Sequence, residues 1–190
     1  MSDEGHGDRP APAQVAPTLR DPETGLAAPP LLRELLQHEM ERARRDAHGL
    51  GVIRLDLGVP SLAGSAATRD EDRPAVPAPV IREAARRLGW LVRSDEVLAR
   101  SGGARFVLVV RGSTSVETVA RRVLSAFDSP LSVEGRSVSL RARVGLARWP
   151  EHGEDADSLL AAAASAVEAA GRPGAPALAV YAPDEPGRRA

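Results

Sequence analysis

Ser101-Gly102-Gly103-Ala104-Arg105-Phe106 is the stretch on which the reading of this chain turns. Val97-Leu98-Ala99-Arg100 before it and Phe106-Val107-Leu108-Val109-Val110 after it are both apolar and strand-like. A Gly-Gly pair between two such runs predicts a hairpin, because glycine reaches the positive φ of a tight turn without steric cost. At the bend, the residues that follow the glycines are an alanine and an arginine, so this turn presents a methyl and a cation.

Working outward, Leu32, Leu36, Met40, Ala43 and Ala47 recur at helical spacing. They predict the buried stripe of a helix that starts near Pro29-Pro30 and is stopped by Gly49. Gly51–Leu57 predicts a buried strand. Residues 59–79, with Pro60, Pro74, Pro77, Pro79 and the run Arg69-Asp70-Glu71-Asp72-Arg73, read as a long irregular loop. A second helix turns Val80, Ile81, Ala84, Ala85 and Leu88 inward. A third begins with a capping box, Thr114 with Glu117 three residues on, and buries Val116, Val119, Ala120, Val123 and Phe127. Leu131–Val133 and Ser137–Val144 flank a turn at Glu134-Gly135-Arg136. An Ala-rich helix over 156–170 and an edge strand at Leu178–Tyr181 complete the order α-β-α-β-β-α-β-β-α-β. That order predicts an α+β fold, a central, mainly antiparallel sheet with the helices on one face.

Composition narrows the function. The 190 residues carry a formal net charge of -1 and suit one domain plus tails. The expected division is a disordered N-terminal tail at 1–20, a domain at 21–182 and a C-terminal tail at 183–190. Without cysteine there is no disulfide framework and no thiolate ligand or nucleophile. Lysine and asparagine are absent too, so every basic residue other than histidine is arginine. This matches drift in a GC-rich, bacterial genome, and it leaves no lysine ammonium for a phosphate and no asparagine amide for a purine edge. No apolar run approaches the roughly 20 residues that span a bilayer. The acidic, Pro/Ala-rich start is unlike a secretion signal, and the expected location is cytoplasmic.

The Gly-Gly segment resembles the signature turn of the GGDEF family, the diguanylate cyclases that join two GTP molecules into cyclic di-GMP. Other matches follow in order. Asp21-Pro22-Glu23-Thr24-Gly25-Leu26 resembles the D-x-L-T-G-L opening, and Arg54-Leu55-Asp56-Leu57 the first strand, L-D-L-D, with Gly58 at its second aspartate. Ala84-Ala85-Arg86-Arg87-Leu88 resembles V-A-x-R-L. Val144-Gly145-Leu146-Ala147-Arg148-Trp149-Pro150, with Gly153-Glu154-Asp155-Ala156 and Leu159-Leu160, resembles S-I-G-x-A-x-x-P…G-x-D-A-x-x-L-L. Gly171-Arg172 fits the G-R after the last long helix. The resemblance covers roughly residues 21–182 and implies the ferredoxin-like palm of the GGDEF and nucleotidyl cyclase type.

It also implies where catalytic parts would lie. Phosphoryl transfer needs divalent metal on carboxylates and stabilisation of charge on the transferred group. One family ligand maps to Asp56. Another maps to Ala104, which has no ligand atom, and the acidic residue after it maps to Arg105. A guanidinium about 4 Å from a metal would cost about 4 kcal/mol per unit charge at an effective dielectric near 20, or roughly three orders of magnitude in rate. The guanine-reading positions fall near Gly64 and Ala78, the phosphate-binding lysine on Glu168 and the closing asparagine on Pro173. The resemblance therefore implies a degenerate signature (Gly102, Gly103, Ala104, Arg105, Phe106), no catalytic residue, no cofactor and no metal. Asp56 is the residual candidate ligand, set against its reading as a strand-end carboxylate paired with an arginine.

A second family site, the R-x-x-D that binds product as an inhibitor, maps to Arg93-Ser94-Asp95-Glu96, an R-x-x-E. Arg93 and Glu96 are its nucleotide-binding candidates, since arginine forks onto phosphate or the guanine O6/N7 edge. His38 and His48 are ten residues apart, not the i, i+4 of a metal pair. Arg42, Arg44 and Arg45 interleave with acids as a solvated helix face. Arg136, Arg141, Arg143 and Arg148 form an arginine-rich run for an acidic partner or nucleic acid, with too few aromatics for a single-strand reader. The function implied is a catalytically inactive GGDEF-type domain acting as a regulatory or protein-interaction module in bacterial cyclic di-GMP-related signalling. The rivals are a receptor for cyclic di-GMP or GTP and an active cyclase with an altered site. A protein partner and a homodimer are compatible with the first reading; nucleic acid and membrane are not expected as partners.

Overall fold

The computed structural model describes residues 18–59, 75–112 and 116–183. Along the chain these form α1 (Pro29–Asp46), β1 (Leu50–Gly58), α2 (Ala78–Gly89), β2 (Val97–Arg100), β3 (Arg105–Arg111), α3 (Val116–Ser125), β4 (Leu131–Val133), β5 (Arg136–Val138), β6 (Arg141–Trp149), α4 (Ala156–Ala170) and β7 (Leu178–Val180). The main sheet has the order β2-β3-β1-β6-β7, and β4-β5 form a separate pair. Every pairing is antiparallel except β6 with β7. This is the expected α+β palm.

The helices lie on both faces of the sheet, not on one. Strand alternation sends successive side chains to opposite sides. Ile53, Leu55, Phe106, Leu108, Val144 and Leu146 join α2 and α3 in one core, whereas Val52, Val107, Val109 and Ala147 join α1 and α4 in another. The sheet strands therefore read as continuous apolar runs, because both faces are covered. On the α4 side the approach is close enough to need glycine. A methyl on Gly145 would lie 2.3 Å from Ala163 O and 2.4 Å from Val167 N.

Three local expectations are corrected. Helix α1 ends at Asp46, with Ala47 in the left-handed region (φ 51) as its cap, so Gly49 does not stop it and Ala47 is exposed. The other stripe residues, Leu32, Leu36, Met40 and Ala43, are buried as expected. The expected strand Ser137–Val144 is two strands in two sheets. Glu134 (φ 50) and Gly135 (φ 76) form the tight turn of β4-β5, with Arg136 already in β5, and the chain then starts afresh at Arg141 opposite Gly58. Thr114, Gly64 and the rest of 60–74 in the 59–79 loop lie outside the described residues, as do 1–17 and 184–190 of the two tails. Arg20 and Ala27 form an isolated antiparallel bridge around the Asp21 turn.

Candidate functional site

The hairpin of β2 and β3 forms as its glycines require. Gly102 (φ 97) and Gly103 (φ 53) carry the bend, where a side chain would be strained. Arg105 N donates to Gly102 O at 3.1 Å and Ser101 N to Arg105 O at 2.9 Å. Phe106 is wholly buried and anchors the returning strand. Ala104 leans on the α2/α3 core, and its carbonyl accepts from Leu57 N at 3.0 Å, tying the bend to the end of β1. The Arg105 guanidinium folds back on the turn, with Nε 3.3 Å from Gly102 O.

Asp56 stands in the next strand. Its register partners are Arg105 on β3 and Arg143 on β6, and directly paired residues project from the same face. Arg54, two residues earlier, projects there as well. Its Nε donates to Asp56 Oδ1 at 2.9 Å and its Nη2 to Oδ2 at 3.4 Å. Asp56 is buried to 7% exposure. Arg143 runs toward the C-terminal end of α4, since a methyl on Gly171 would meet its Nη1 at 2.8 Å. The last turn of α4 has no basic residue of its own, and a cation from β6 suits that end of the helix dipole. Glu168 and Pro173 are exposed nearby in sequence, and Ala78 opens α2. Among the described residues, no three His, Cys, Asp or Glu side chains gather as a cation site.

Sequence reasoning missed Arg100. At 7% exposure it is one of two buried charged side chains among the described residues, with Asp56. Its Nη1 lies 2.9 and 3.0 Å from the oxygens of Asp21 and also pairs with Glu23, while its Nε donates to Gly103 O at 2.8 Å. Asp21 in turn accepts from Thr24 N at 2.9 Å and from Thr24 Oγ1 at 2.7 Å. Burial pushes the Asp21 carboxyl up, but the bonds from Thr24 and Arg100 outweigh it and hold the group below its usual range. Burial likewise opposes the Arg100 charge, and Asp21 and Glu23 more than restore it. The opening turn and the Gly-Gly bend are thus one unit. The available signal was the placement of an arginine at the end of an otherwise apolar strand.

Arg93 and Glu96 do come together. Glu96 Oε2 accepts from Arg93 N at 2.9 Å and Glu96 N donates to Arg93 O at 3.1 Å, closing a turn before β2. Both line a cavity of about 140 Å³ with Asp95, Arg111 and Arg122. Arg111 is held there by Glu39, at 2.5 and 2.7 Å, and Arg122 Nη2 donates to Leu91 O at 2.8 Å. The arginine-rich run of the later strands is dispersed instead. Arg148 pairs with Glu117 and lies seven residues along β6 from Arg141, roughly 23 Å, and Arg136 belongs to the second sheet. His38 is exposed, and His48 Nδ1 is 3.0 Å from Gly49 O, far from any metal geometry.

The comparison with known families decides the identity. The family described as "Diguanylate cyclase, GGDEF domain" matches residues 78–176, more than half of the chain. The chain belongs to the GGDEF family. Its α2, hairpin, α3, β6 and α4 are the GGDEF elements matched. The cyclic di-GMP phosphodiesterase PdeR of Escherichia coli is 28% identical over 164 residues, 85% of this chain and 24% of PdeR. The chain spans about a quarter or less of the length of the curated relatives it matches. Among solved structures, the GGDEF domain of PA1120 (TpbB or YfiN) from Pseudomonas aeruginosa superposes with TM-score 0.72 at 21% identity, covering 86% of this chain and 94% of that one. Diguanylate cyclase SiaD from the same organism, solved with its activator SiaC, gives 0.66 at 26% identity over 83% and 59%. GGDEF domains of cyclic di-GMP signalling proteins are thus its relatives in both sequence and fold.

Proposed function

We propose that this GGDEF domain does not make cyclic di-GMP and serves as a regulatory, protein-binding module in bacterial, cytoplasmic cyclic di-GMP-related signalling. One observation carries the reading. Asp56, the remaining candidate ligand, is engaged by Arg54 and flanked in register by Arg105 and Arg143, while the Ala104 side chain offers no ligand atom and its carbonyl already accepts from Leu57 N. A divalent cation is held by several oxygens and repelled by guanidinium. The residues present do not suit it, and no catalytic step is drawn through one. SiaD, solved with a protein activator, supports the idea of a GGDEF surface engaged by another chain. The test is incubation of the purified chain with GTP and magnesium or manganese. No cyclic di-GMP is expected; turnover that disappears in Asp56→Ala overturns the proposal.

A second reading, a receptor for cyclic di-GMP or GTP, is favoured by the cavity at Arg93, Glu96, Arg111 and Arg122. Arginine forks on a rim of that size suit a phosphate or a guanine edge. One Glu96 oxygen is already used on the Arg93 backbone, which leaves the other for a base. Isothermal titration with Arg93→Ala as control separates the readings. An affinity weaker than about millimolar, only about 4 kcal/mol, removes the receptor.

A further inference from the structure

The last strand, β7, is a three-residue strand at one edge of the main sheet. Val144 N donates to Ala177 O at 2.8 Å where it begins, and Tyr181 N to Leu146 O at 2.7 Å where it ends. So short an edge pairing opens easily unless side chains hold it. Leu178 and Val180 lean on the α2/α3 core, and the Tyr181 ring leans on the α1/α4 core. There Tyr181 meets His152 edge-on, with the ring centroids 5.5 Å apart. His152 comes from the turn between β6 and α4. Its Nδ1 accepts from Arg148 N at 3.0 Å and its own N donates to Arg148 O at 2.8 Å. One largely buried imidazole thus closes that turn and seats Tyr181.

We propose that His152 is an acid-operated latch on β7: taking up a proton expels its ring from between Arg148 N and Tyr181, and the C-terminal end of the strand comes away from β6. The chemistry is a reversal at one nitrogen. A neutral imidazole whose Nδ1 accepts carries its hydrogen on Nε2, whereas the imidazolium donates from both nitrogens. The second hydrogen would point at the Arg148 N–H, turning an attraction into a repulsion across 3.0 Å. Neighbouring charges set the way out. Glu151 Oε2 lies 3.9 Å from Nε2 on a mostly exposed side chain and draws a charged ring toward solvent. Arg148 opposes the charge in place, even with Glu117 of α3 paired to its guanidinium, and Arg44 of α1 adds a cation over the neighbouring Trp149 ring. Burial also favours the neutral ring where it sits. The latch is therefore closed above the ordinary histidine value of about 6.5 and opens as pH falls through the lower folded value. It involves neither metal nor nucleotide and is independent of the proposed function.

The test is amide hydrogen exchange by NMR on the whole chain between pH 7.5 and 5, with rates corrected for their intrinsic pH dependence. Opening at the Tyr181 amide is expected to increase as pH falls, by up to about tenfold per pH unit. It is expected to need less free energy than exchange in the central strand β1 and to ignore low urea concentrations, as local rather than global opening does. His152→Gln keeps an acceptor for Arg148 N that does not titrate, and is expected to remove the pH response at Tyr181. The ¹⁵N shifts of the parent imidazole need no variant. They are expected to report a neutral ring with an accepting Nδ1 at pH 7.5 and to titrate in step with Tyr181 exchange. Opening at Tyr181 that is independent of pH, or that matches β1 in free energy at every pH, overturns the proposal. So does an undiminished pH response in folded His152→Gln, or a His152 titration that leaves Tyr181 unmoved.

Discussion

Arg100 holds Asp21 through both carboxylate oxygens, at 2.9 and 3.0 Å, across 79 residues of chain. The pair joins the turn that opens the domain to the strand that leads into the Gly-Gly bend. Arg100 also pairs with Glu23, so its removal strands two acids at once. Breaking a buried ion pair from one side costs about 3–5 kcal/mol. Asp21 and Glu23 retain some access to water, so Arg100→Ala is expected to cost about 2–3 kcal/mol in urea unfolding. A loss below about 1 kcal/mol would show that the clamp is incidental.

Asp56→Ala distinguishes a structural carboxylate from a catalytic one. Its removal takes away the carboxylate that accepts from Arg54 and that stands in register between Arg105 and Arg143. Hydrogen bonds to charged groups contribute about 1.5–3 kcal/mol, and the repulsion among the arginines is screened by salt. The variant is expected to be less stable by about 1–3 kcal/mol, more so at low ionic strength. A variant more stable than the parent would instead mark Asp56 as a site kept for function at the expense of the fold.

Gly145→Ala probes the sheet–helix approach. The added methyl would meet backbone atoms of α4 at 2.3 and 2.4 Å, and backbone yields less easily than a side-chain tip. Overpacking of this kind costs about 1–3 kcal/mol and more where nothing can move, so a loss of about 3 kcal/mol or failure to fold is expected. Gly58→Ala, with no atom of the described residues within 4 Å of the new methyl, is the control and should stay within about 0.5 kcal/mol.

His152 supplies a pH dependence. Burial holds its imidazole below the usual range; Glu151 works against this, and Arg148 adds to it. Its Nδ1 accepts from Arg148 N at 3.0 Å, and the ring packs edge-on against Tyr181. The unfolded chain therefore binds the proton first, and stability rises with pH through this window. The contribution is complete above the ordinary histidine value of about 6.5 and is lost as pH falls through the lower folded value. Melting temperatures from pH 7.5 to 5 are expected to fall more steeply in the parent than in His152→Gln. Parallel curves would refute this assignment.

Much of the fold was legible because it is written in near neighbours. The helical stripes of α1, α2 and α3, the Gly-Gly bend and the span of α4 depend on spacing of three or four residues and on turn chemistry, and nearly all were found where expected. That Ala104 and Arg105 follow the two glycines of the bend was readable for the same reason. Even the Arg54–Asp56 pair had a local signal, since residues i and i+2 of a strand share a face. Ala47 was misread because an alanine accepted the left-handed cap two residues before the glycine that seemed made for it.

What sequence alone determined, then, was the kind of domain and the Ala104-Arg105 pair at its bend. Tertiary structure decided which charges meet. The row Arg105–Asp56–Arg143 exists only through pairing of strands some fifty to ninety residues apart, and the Arg100 clamp only through closure of the N-terminal turn on β2. The placing of α1 and α4 on one face and α2 and α3 on the other, with a cavity under the first pair, is likewise a matter of long-range packing. The physical reason is that local periodicity says which side of an element is apolar, while the partner that covers it is chosen by burial summed over the whole chain.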